Sequence, residues 1–451
     1  MTTRTVPRQQ ETSIFERRES AVRSYCRRFD RVFDTARGSV IRDVSGREYL
    51  DFVAGAGALN YGHNDPDMGA ALIAHLERGG LAHSLDLFSS AKSAFLTAFE
   101  THVLLPRGLD HRVQFTGPTG ANAIEAALKI ARKVTGRTNV VAFTNAFHGV
   151  TQGALAATGN RHHRIGPQFP LHGVTRMPYD GYHGEGVDTA DFLARMLRDP
   201  SSGVDAPAAI LLETVQGEGG LNVASTPWLR QIAELARDCG ALLVVDDVQA
   251  GCGRTGTFFS FEPHGIVPDL VVLSKSISGY GLPMALLLIR PEYDAWLPGQ
   301  HNGTFRGNVH AFVTARVALE KFWADDALTD DVARRGALLA RLLAGVAAAI
   351  PGATVKGRGM FRGVDTGSGA LAATIAERCF KDGLLLETAG PHDEVVKVLA
   401  PLTTPDDVLE HGMAVLLAAA RTAVSERNPR AEDDPRGTGR DLVVEPAGWH
   451  P

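Results

Sequence analysis

The sequence predicts an α/β fold, in which helices cover a mostly parallel β-sheet, together with a smaller α+β domain. Four short runs consist almost entirely of apolar residues, as do parallel strands that are buried on both faces; they lie at 140–144, 208–213, 241–246 and 270–274. Helical patterns alternate with these runs, at 121–134, 227–239 and 309–323. The chain has 451 residues, more than a single hydrophobic core usually supports, so a second domain is expected.

The predicted elements divide the chain into four parts. Residues 1–60 are expected to form an N-terminal segment that joins the smaller domain, and residues 61–320 to form the large domain. The helix predicted at 227–239 has Thr226 as its expected N-cap and Pro227 as its first residue. Residues 321–424 contain Ala/Leu-rich helices and β-like pieces, which predict the small domain. Residues 425–451 are rich in proline, glycine and charge, which predicts a flexible tail.

Composition and charge argue against several classes of function. Apolar residues make up 44% of the chain and charged residues 22%, as in ordinary globular proteins. The net charge of −5 does not suggest nucleic acid or an acidic membrane as a partner. The N-terminus has no signal-peptide pattern and no run of 18 apolar residues predicts a membrane span. The four cysteines are scattered, so we expect a cytoplasmic protein without disulfides or a metal site.

Two adjacent carboxylates end the predicted strand at 241–246. They are Asp246 and Asp247 in VVDDVQAGCGRTG. Alternation along a strand would point them to opposite sides, so that one of them can face a ligand. An acid in that position suits a cationic ring nitrogen, and a metal site or a helix cap is the alternative.

A lysine follows the next predicted strand, in LVVLSKSISGYGLPMA. Lys275 stands at the carboxyl end of an apolar run, where lysine is rare unless it is paired or reactive. Burial would lower the proton affinity of its amine and make it a nucleophile, whereas a lysine that extends to the surface is the alternative. Pyridoxal phosphate (PLP) requires both a lysine for its Schiff base and an acid for its ring nitrogen. Asp246 and Lys275 together therefore predict a PLP enzyme.

The ordered motifs of the chain resemble those of the class III aminotransferases. The signature stretch reads DDVQAGCGRTG followed by SKSISGYGLP. Other matching strings are YLDFVAGAGALNYGHNDP, FTGPTGANAIEAALKIAR, NAFHG, LETVQGEGG and HNGTFRGN, and the resemblance covers residues 14–424. It implies PLP fold type I, with a mostly parallel seven-stranded sheet in the large domain.

The resemblance implies a role for each residue that would hold the cofactor. Lys275 would form the Schiff base and afterwards move a proton, and Asp246 would pair with the ring nitrogen. Gln249 would bond near the phenolic oxygen, while Phe147 would stack on the ring beside His148, with plain core packing as the alternative for Phe147. The phosphate would lie on Gly120 and Ala121 at a helix N-terminus and would also contact Thr304 of a second subunit, so that two chains share each site. Ala121 lacks the hydroxyl that is common there in the family.

The resemblance also implies the substrate-binding residues. Glu218 matches a gate glutamate that pairs with an arginine and swings aside for the α-carboxylate of glutamate, but Lys397 stands where that arginine is expected. Lysine cannot form the two-pronged contact that arginine makes with a carboxylate. Arg306 is a candidate to share this task, or else to form an ion pair at a subunit interface. Glu213 and Asp86 complete the candidates for the charged groups of the substrate.

Within the class, further strings are similar to the subgroup that makes L-2,4-diaminobutyrate. They include GAGALNYGHN, PRGLDHRVQFTGPTG, PYDGYHG and SISGYGLPMA. This similarity implies transfer of the amino group of L-glutamate to L-aspartate 4-semialdehyde, in ectoine synthesis or in a siderophore or antibiotic pathway. A PLP racemase, mutase or decarboxylase, or a non-catalytic relative, are the alternatives, because the fold alone does not fix the reaction.

Overall fold

The computed structural model describes residues 13–166, 170–184 and 186–427. The strands are β1 (Phe33–Arg37), β2 (Val40–Asp43), β3 (Glu48–Asp51), β4 (Arg112–Phe115), β5 (Val140–Phe143), β6 (Val174–Met177), β7 (Ala209–Leu212), β8 (Val215–Gln216), β9 (Asn222–Val223), β10 (Leu242–Asp246), β11 (Leu270–Leu273), β12 (Leu286–Ile289), β13 (Thr354–Arg358), β14 (Phe361–Asp365), β15 (Leu384–Leu385), β16 (Glu387–Ala389) and β17 (Val395–Val398).

The α-helices are α1 (Ser13–Arg18), α2 (Tyr25–Arg28), α3 (Ala54–Gly57), α4 (Pro66–Glu77), α5 (Ser90–Phe99), α6 (Gly120–Thr135), α7 (Gln152–Ala157), α8 (Arg161–Arg164), α9 (Thr189–Arg198), α10 (Thr226–Cys239), α11 (Val309–Phe322), α12 (Ala327–Ala348), α13 (Gly369–Lys381) and α14 (Asp406–Arg427). A π-helical turn follows α5 at Glu100–Leu104, and short 3-10 turns lie at Leu105–Arg107, Glu262–His264, Lys275–Ser278 and Pro291–Tyr293.

The central sheet has seven strands in the order β4-β12-β11-β10-β7-β5-β6. Strands β11, β10, β7, β5 and β6 run parallel, and β12 runs antiparallel to both of its neighbours. The four apolar runs predicted from the sequence are β5, β7, β10 and β11, and every residue in these strands is buried. The predicted α/β fold with a mostly parallel sheet is therefore confirmed.

The three predicted helices of the large domain correspond to α6, α10 and α11. The predicted start of α10 was wrong, because its N-cap is Ser225, whose hydroxyl accepts a hydrogen bond from the N–H of Trp228 at 3.4 Å. A capping hydroxyl reaches an N–H two or three residues along the chain, and Pro227 has none to offer. Thr226 lies inside the helix, and its hydroxyl contacts Nδ1 of His264 at 2.8 Å.

Three smaller sheets lie outside the central one, and the smallest pairs β8 with β9 in antiparallel orientation. Strands β13, β14, β17 and β16 form an antiparallel sheet in that order. Strands β1, β2 and β3 continue into β15, which pairs with β3 in parallel, so the N-terminal strands share a sheet with a strand from the C-terminal part. The domain limits at residues 60, 320 and 424 stay predictions. Helix α14 extends to Arg427, and the rest of the predicted tail lies outside the described residues.

Helix α14 is long and apolar enough to cross a membrane, judged by length and composition alone. In the fold it lies against α12 and α13. Leu409, Met413 and Leu416 on its inner face are buried, and Gly412 allows the ring of Phe52 to pack directly against the helix backbone. The apolar composition of α14 thus matches its place in a protein core.

Candidate active site

A cavity of about 410 Å³ opens at the carboxyl ends of the parallel strands. Ligands of open α/β sheets usually bind at this edge. The predicted site residues that line the cavity are Gly120, Ala121, Phe147, His148, Glu213, Glu218, Asp246, Gln249 and Lys275. Residues separated by more than 150 positions in the sequence thus meet because the strands that precede them belong to the same sheet.

Asp246 is the last residue of β10 and points into the cavity. Its Oδ2 atom lies 2.7 Å from Nδ1 of His148, and its Oδ1 accepts a hydrogen bond from the N–H of Val248 at 3.2 Å. Burial alone would lower the pKa of His148, but the hydrogen bond and charge of Asp246 outweigh burial and raise it. These two contacts fix the orientation of the Asp246 carboxylate at the cavity wall.

Asp247 points away from the cavity, as strand alternation predicts. Its Oδ2 accepts a hydrogen bond from the N–H of Ser260 at 2.9 Å. Burial raises the pKa of this carboxyl group to about 7, and the charge of Asp246 adds to the shift. The two adjacent acids thus have different environments, and of the pair Asp246 is the one available to a ligand.

Lys275 begins a 3-10 turn directly after β11. Its φ of +52° lies in the left-handed region, which costs a residue other than glycine about 1–2 kcal/mol. Ser274 and Ser276 fix the turn, since their hydroxyls donate to the carbonyl groups of Met284 and Gly57 at 2.9 and 2.8 Å. Burial lowers the pKa of the Lys275 amine, and Lys397 lowers it further, while Glu218 acts in the opposite direction. The amine is thereby moved towards its neutral, nucleophilic form.

Glu213 links the wall of the cavity to the segment that carries Phe147. Its carboxylate accepts hydrogen bonds from the N–H of Phe147 at 3.1 Å and from the N–H of Gly217 at 3.3 Å. Burial raises the pKa of Glu213 to about 7; the charge of Asp246 also raises it, whereas His148 lowers it. Both carboxylate oxygens are engaged by the protein backbone, so Glu213 positions the aromatic residue.

The N-terminus of helix α6 forms another part of the wall. Thr119 is its N-cap, and the Thr119 hydroxyl accepts a hydrogen bond from the N–H of Asn122 at 3.2 Å. Gly120 and Ala121 are the first residues of the helix, where N–H groups have no partner within the helix. A side chain in place of Gly120 would meet Val248 at 3.1 Å. These N–H groups, together with the helix dipole, are suited to bind a phosphate.

Glu218 belongs to a buried group of charges at the side of the cavity. The Lys397 ammonium lies 2.9 Å from Oε1 of Glu218 and 2.8 Å from Oε1 of Glu387. Gln249 donates to the same Glu218 oxygen at 3.3 Å and to the carbonyl of Ala56 at 2.9 Å. Burial would raise the pKa of Glu218, but the charges of Lys397 and Lys275 outweigh it and lower the pKa. Lys397 is thus a buried cation with two carboxylate partners.

The three remaining candidates lie apart from the cavity. Thr304 is exposed, and Arg306 forms an ion pair with Asp86 at 2.5 Å. The structure therefore does not bring Arg306 or Asp86 together with Lys397 within one chain. A role for Thr304 requires a second chain, and it stays a prediction.

Three features of the cavity fit three parts of PLP. The partly buried Lys275 amine can bond to an aldehyde, the Asp246 carboxylate can pair with a ring nitrogen, and the N-terminus of α6 can hold a phosphate. The cavity volume of about 410 Å³ lies in the range of small-molecule sites. Among the described residues, no group of three or more His, Cys, Asp or Glu side chains is arranged to hold a metal.

Comparison with known proteins agrees with this geometry. The family model for aminotransferase class III matches residues 23–419. The chain belongs to the class III aminotransferases. It is 56% identical to the diaminobutyrate–2-oxoglutarate transaminase of Vibrio cholerae over 405 residues, which is 89% of this chain and 98% of that protein. It is 54% identical to the enzyme of the same name from Nocardia farcinica over 414 residues, or 91% of this chain and 94% of that one.

The solved structures give the same fold. An ornithine aminotransferase from Toxoplasma gondii, with partial occupancy of PLP at its active site, superposes with a TM-score of 0.79. The superposition covers 93% of this chain and 96% of the other, at 28% sequence identity. The cofactor of this class III aminotransferase is PLP, as the sequence predicted. Its substrates are amino acids and oxo acids.

Two polar contacts in the site were not predicted from the sequence. Glu387 pairs with Lys397, and the Tyr25 hydroxyl donates to Oε2 of Glu387 at 3.1 Å. Glu387 stands directly opposite Lys397 in the β16–β17 pair. The acid in LLLETAG follows an apolar run, as the acid at 213 does, and that similarity is the one signal that could have identified it.

Proposed function

We propose that this aminotransferase transfers the amino group of L-glutamate to L-aspartate 4-semialdehyde, giving L-2,4-diaminobutyrate and 2-oxoglutarate. The observation that supports the substrate is the 56% identity with a diaminobutyrate–2-oxoglutarate transaminase across 89% of the chain. Ectoine synthesis is the pathway that we propose for the product, and the cytoplasm is the proposed location.

Lys275 and Asp246 perform the proton and charge work in this proposal. Bound PLP supplies an electron sink for the bond that breaks at the amino-bearing carbon. The Lys275 amine, with its lowered pKa, would take the proton from that carbon and deliver it to the C4′ carbon of the cofactor. Asp246 would keep a proton on the ring nitrogen, and His148 at 2.7 Å holds the Asp246 carboxylate in place.

The surrounding residues bind and orient. The first-turn N–H groups of helix α6 would hold the phosphate and Phe147 would hold the ring, while Gln249 lines the same cavity. Glu218 lines the cavity where the charged end of the substrate would lie, and Lys397 is buried behind it. We also propose a homodimer in which Thr304 of one chain completes the phosphate site of the other. Thr304 is exposed and lies apart from the cavity of its own chain, next to Phe305, which is 71% exposed, and this supports the role.

The proposal is tested with purified protein loaded with PLP. The assay supplies L-2,4-diaminobutyrate as amino donor and 2-oxoglutarate as acceptor, and it follows the formation of glutamate. Ornithine, 4-aminobutyrate and lysine serve as comparison donors. We expect the highest kcat/KM with diaminobutyrate. A higher value with another donor would reject the proposed substrate and leave the aminotransferase class intact.

A further inference from the structure

The charged group beside the cavity has more negative than positive charge. Lys397 is fully buried and has two carboxylates within 2.9 Å, from Glu218 and Glu387. Glu387 is only 3% exposed. Lys275 is not counted in this group, because in the loaded enzyme its nitrogen would be bonded to the cofactor. Two acids and one ammonium therefore leave one excess negative charge at the substrate end of the site.

This arrangement changes what Lys397 can do when Glu218 moves. A cation with a single acid partner becomes free to bind a substrate carboxylate once that partner swings aside. Here Glu387 stays 2.8 Å from the ammonium, on the strand that pairs directly with the strand of Lys397. The Tyr25 hydroxyl holds the other oxygen of Glu387 at 3.1 Å. Lys397 would therefore keep Glu387 as a counter-ion if Glu218 moved.

Glu218 itself reaches the cavity. Its side chain is 34% exposed, and its Oε1 atom receives the contacts from Lys397 and Gln249. Among the residues that the structure describes, no partner contacts its second oxygen, Oε2. A carboxylate with one free oxygen at a cavity wall is a ready acceptor for a substrate ammonium.

We infer that Glu387 determines specificity for substrates that carry an ammonium group at the end remote from the cofactor. Glu387 neutralises Lys397, and this leaves the negative charge of Glu218 available to that ammonium. Glu387 is a positioning residue, since it acts through Lys397 and does not line the cavity. The inference rests on the proposed diaminobutyrate activity and names the group that would select for it.

Two amino donors distinguish an effect on ammonium binding from a general loss of activity. L-2,4-Diaminobutyrate and 4-aminobutyrate share one carbon skeleton and one reacting amine, and they differ in the α-ammonium group. Glu387→Gln keeps the size of the side chain and removes its charge, so Glu218 becomes the one carboxylate that pairs with Lys397. We expect kcat/KM for diaminobutyrate to fall by about tenfold or more, the scale of one charged hydrogen bond. The value for 4-aminobutyrate should stay within about twofold of wild type, so selectivity falls.

A second readout does not depend on turnover. Each donor is titrated into the yellow, PLP-loaded enzyme and the absorbance is followed. The apparent Kd for diaminobutyrate should be higher in Glu387→Gln than in wild type. The absorption maximum of the resting enzyme should not change. Glu387→Asp should retain most of the selectivity. Glu377→Gln removes a negative charge at the surface, from an acid paired with Lys381, and should match wild type.

A double variant tests the charge count itself. Glu387→Gln with Lys397→Met again leaves one net negative charge, carried by Glu218, and should recover preference for diaminobutyrate over 4-aminobutyrate. Equal losses for both donors in Glu387→Gln, or no recovery in the double variant, would overturn the inference. If Glu387→Gln does not fold, the inference is tested with the double variant and Glu387→Asp. The measurement is the ratio of kcat/KM for diaminobutyrate to kcat/KM for 4-aminobutyrate. A wild-type enzyme inactive with diaminobutyrate would overturn the proposed function first.

Discussion

Replacement of Asp246 by asparagine should slow the chemical step while PLP remains bound in the cavity. The two side chains have nearly the same shape, so Oδ1 can still accept the hydrogen bond from the N–H of Val248, 3.2 Å away. What disappears is the negative charge that would face the ring nitrogen and that lies 2.7 Å from Nδ1 of His148. Asp246 is only 6% exposed, so water does not replace that charge.

The size of the effect follows from the contact that is lost. A hydrogen bond to a charged group contributes about 1.5–3 kcal/mol, and each 1.36 kcal/mol changes a rate by a factor of ten. We therefore expect Asp246→Asn to lower the half-reaction rate by about 10- to 150-fold or more. The assay is a stopped-flow measurement of the loss of the yellow band after diaminobutyrate is added, with PLP content matched to wild type.

Asp247→Asn is the matched control for this prediction. It changes the neighbouring acid in the same way, but Asp247 bonds to the backbone of Ser260 on the other side of the strand. Its half-reaction rate should stay within about threefold of wild type, or about 0.7 kcal/mol of barrier. A loss of less than about tenfold in Asp246→Asn, or equal losses in both variants, would refute the assignment of Asp246.

Three further predictions concern stability. Burial raises the pKa of Asp247 from 3.8 to about 7, so the protonated form that stabilises the fold is present at low pH and is lost as the pH rises through about 7. The Tm of Asp247→Asn minus the Tm of wild type should therefore increase between pH 5 and pH 8. A difference that does not change with pH would contradict this prediction. Gly219→Ala would put its Cβ 2.2 Å from the carbonyl oxygen of Asn145 and should cost about 1–3 kcal/mol in denaturant unfolding, whereas Gly345→Ala, with open space in a helix, should gain about 0.5–1 kcal/mol. Lys397→Met leaves two carboxylates beside each other without their cation and should cost the apo-protein about 3–5 kcal/mol; a loss below about 1 kcal/mol would show that the ion group is not held together in solution.

The sequence predicts the sheet well because each parallel strand is a short apolar run that ends in a polar residue. Asp246 and Lys275 are found this way, since the strand before each residue fixes its position at one edge of the sheet. The local start of α10 was wrong by one residue, because Ser225 and Thr226 can both cap a helix and the hydroxyl of Thr226 is engaged by His264 instead.

The charged group around Lys397 could not be predicted in the same way. Glu387 meets Lys397 through the register of two short antiparallel strands, and register depends on the turn between them. Tyr25 reaches the same acid from 362 positions away, on a helix of four residues that carries no periodic signal. The proposed contact of Thr304 cannot be checked within one chain, because it requires a second chain.

The attachment of the cofactor to Lys275 is the central claim, and it can be measured directly. Borohydride reduction of the PLP-loaded enzyme fixes the cofactor to the lysine that holds it, and peptide mass spectrometry then identifies that lysine. We predict a single modified peptide that contains Lys275, together with loss of the yellow absorption band and of activity. Modification of Lys397 or of a surface lysine, with Lys275 unmodified, would contradict the account.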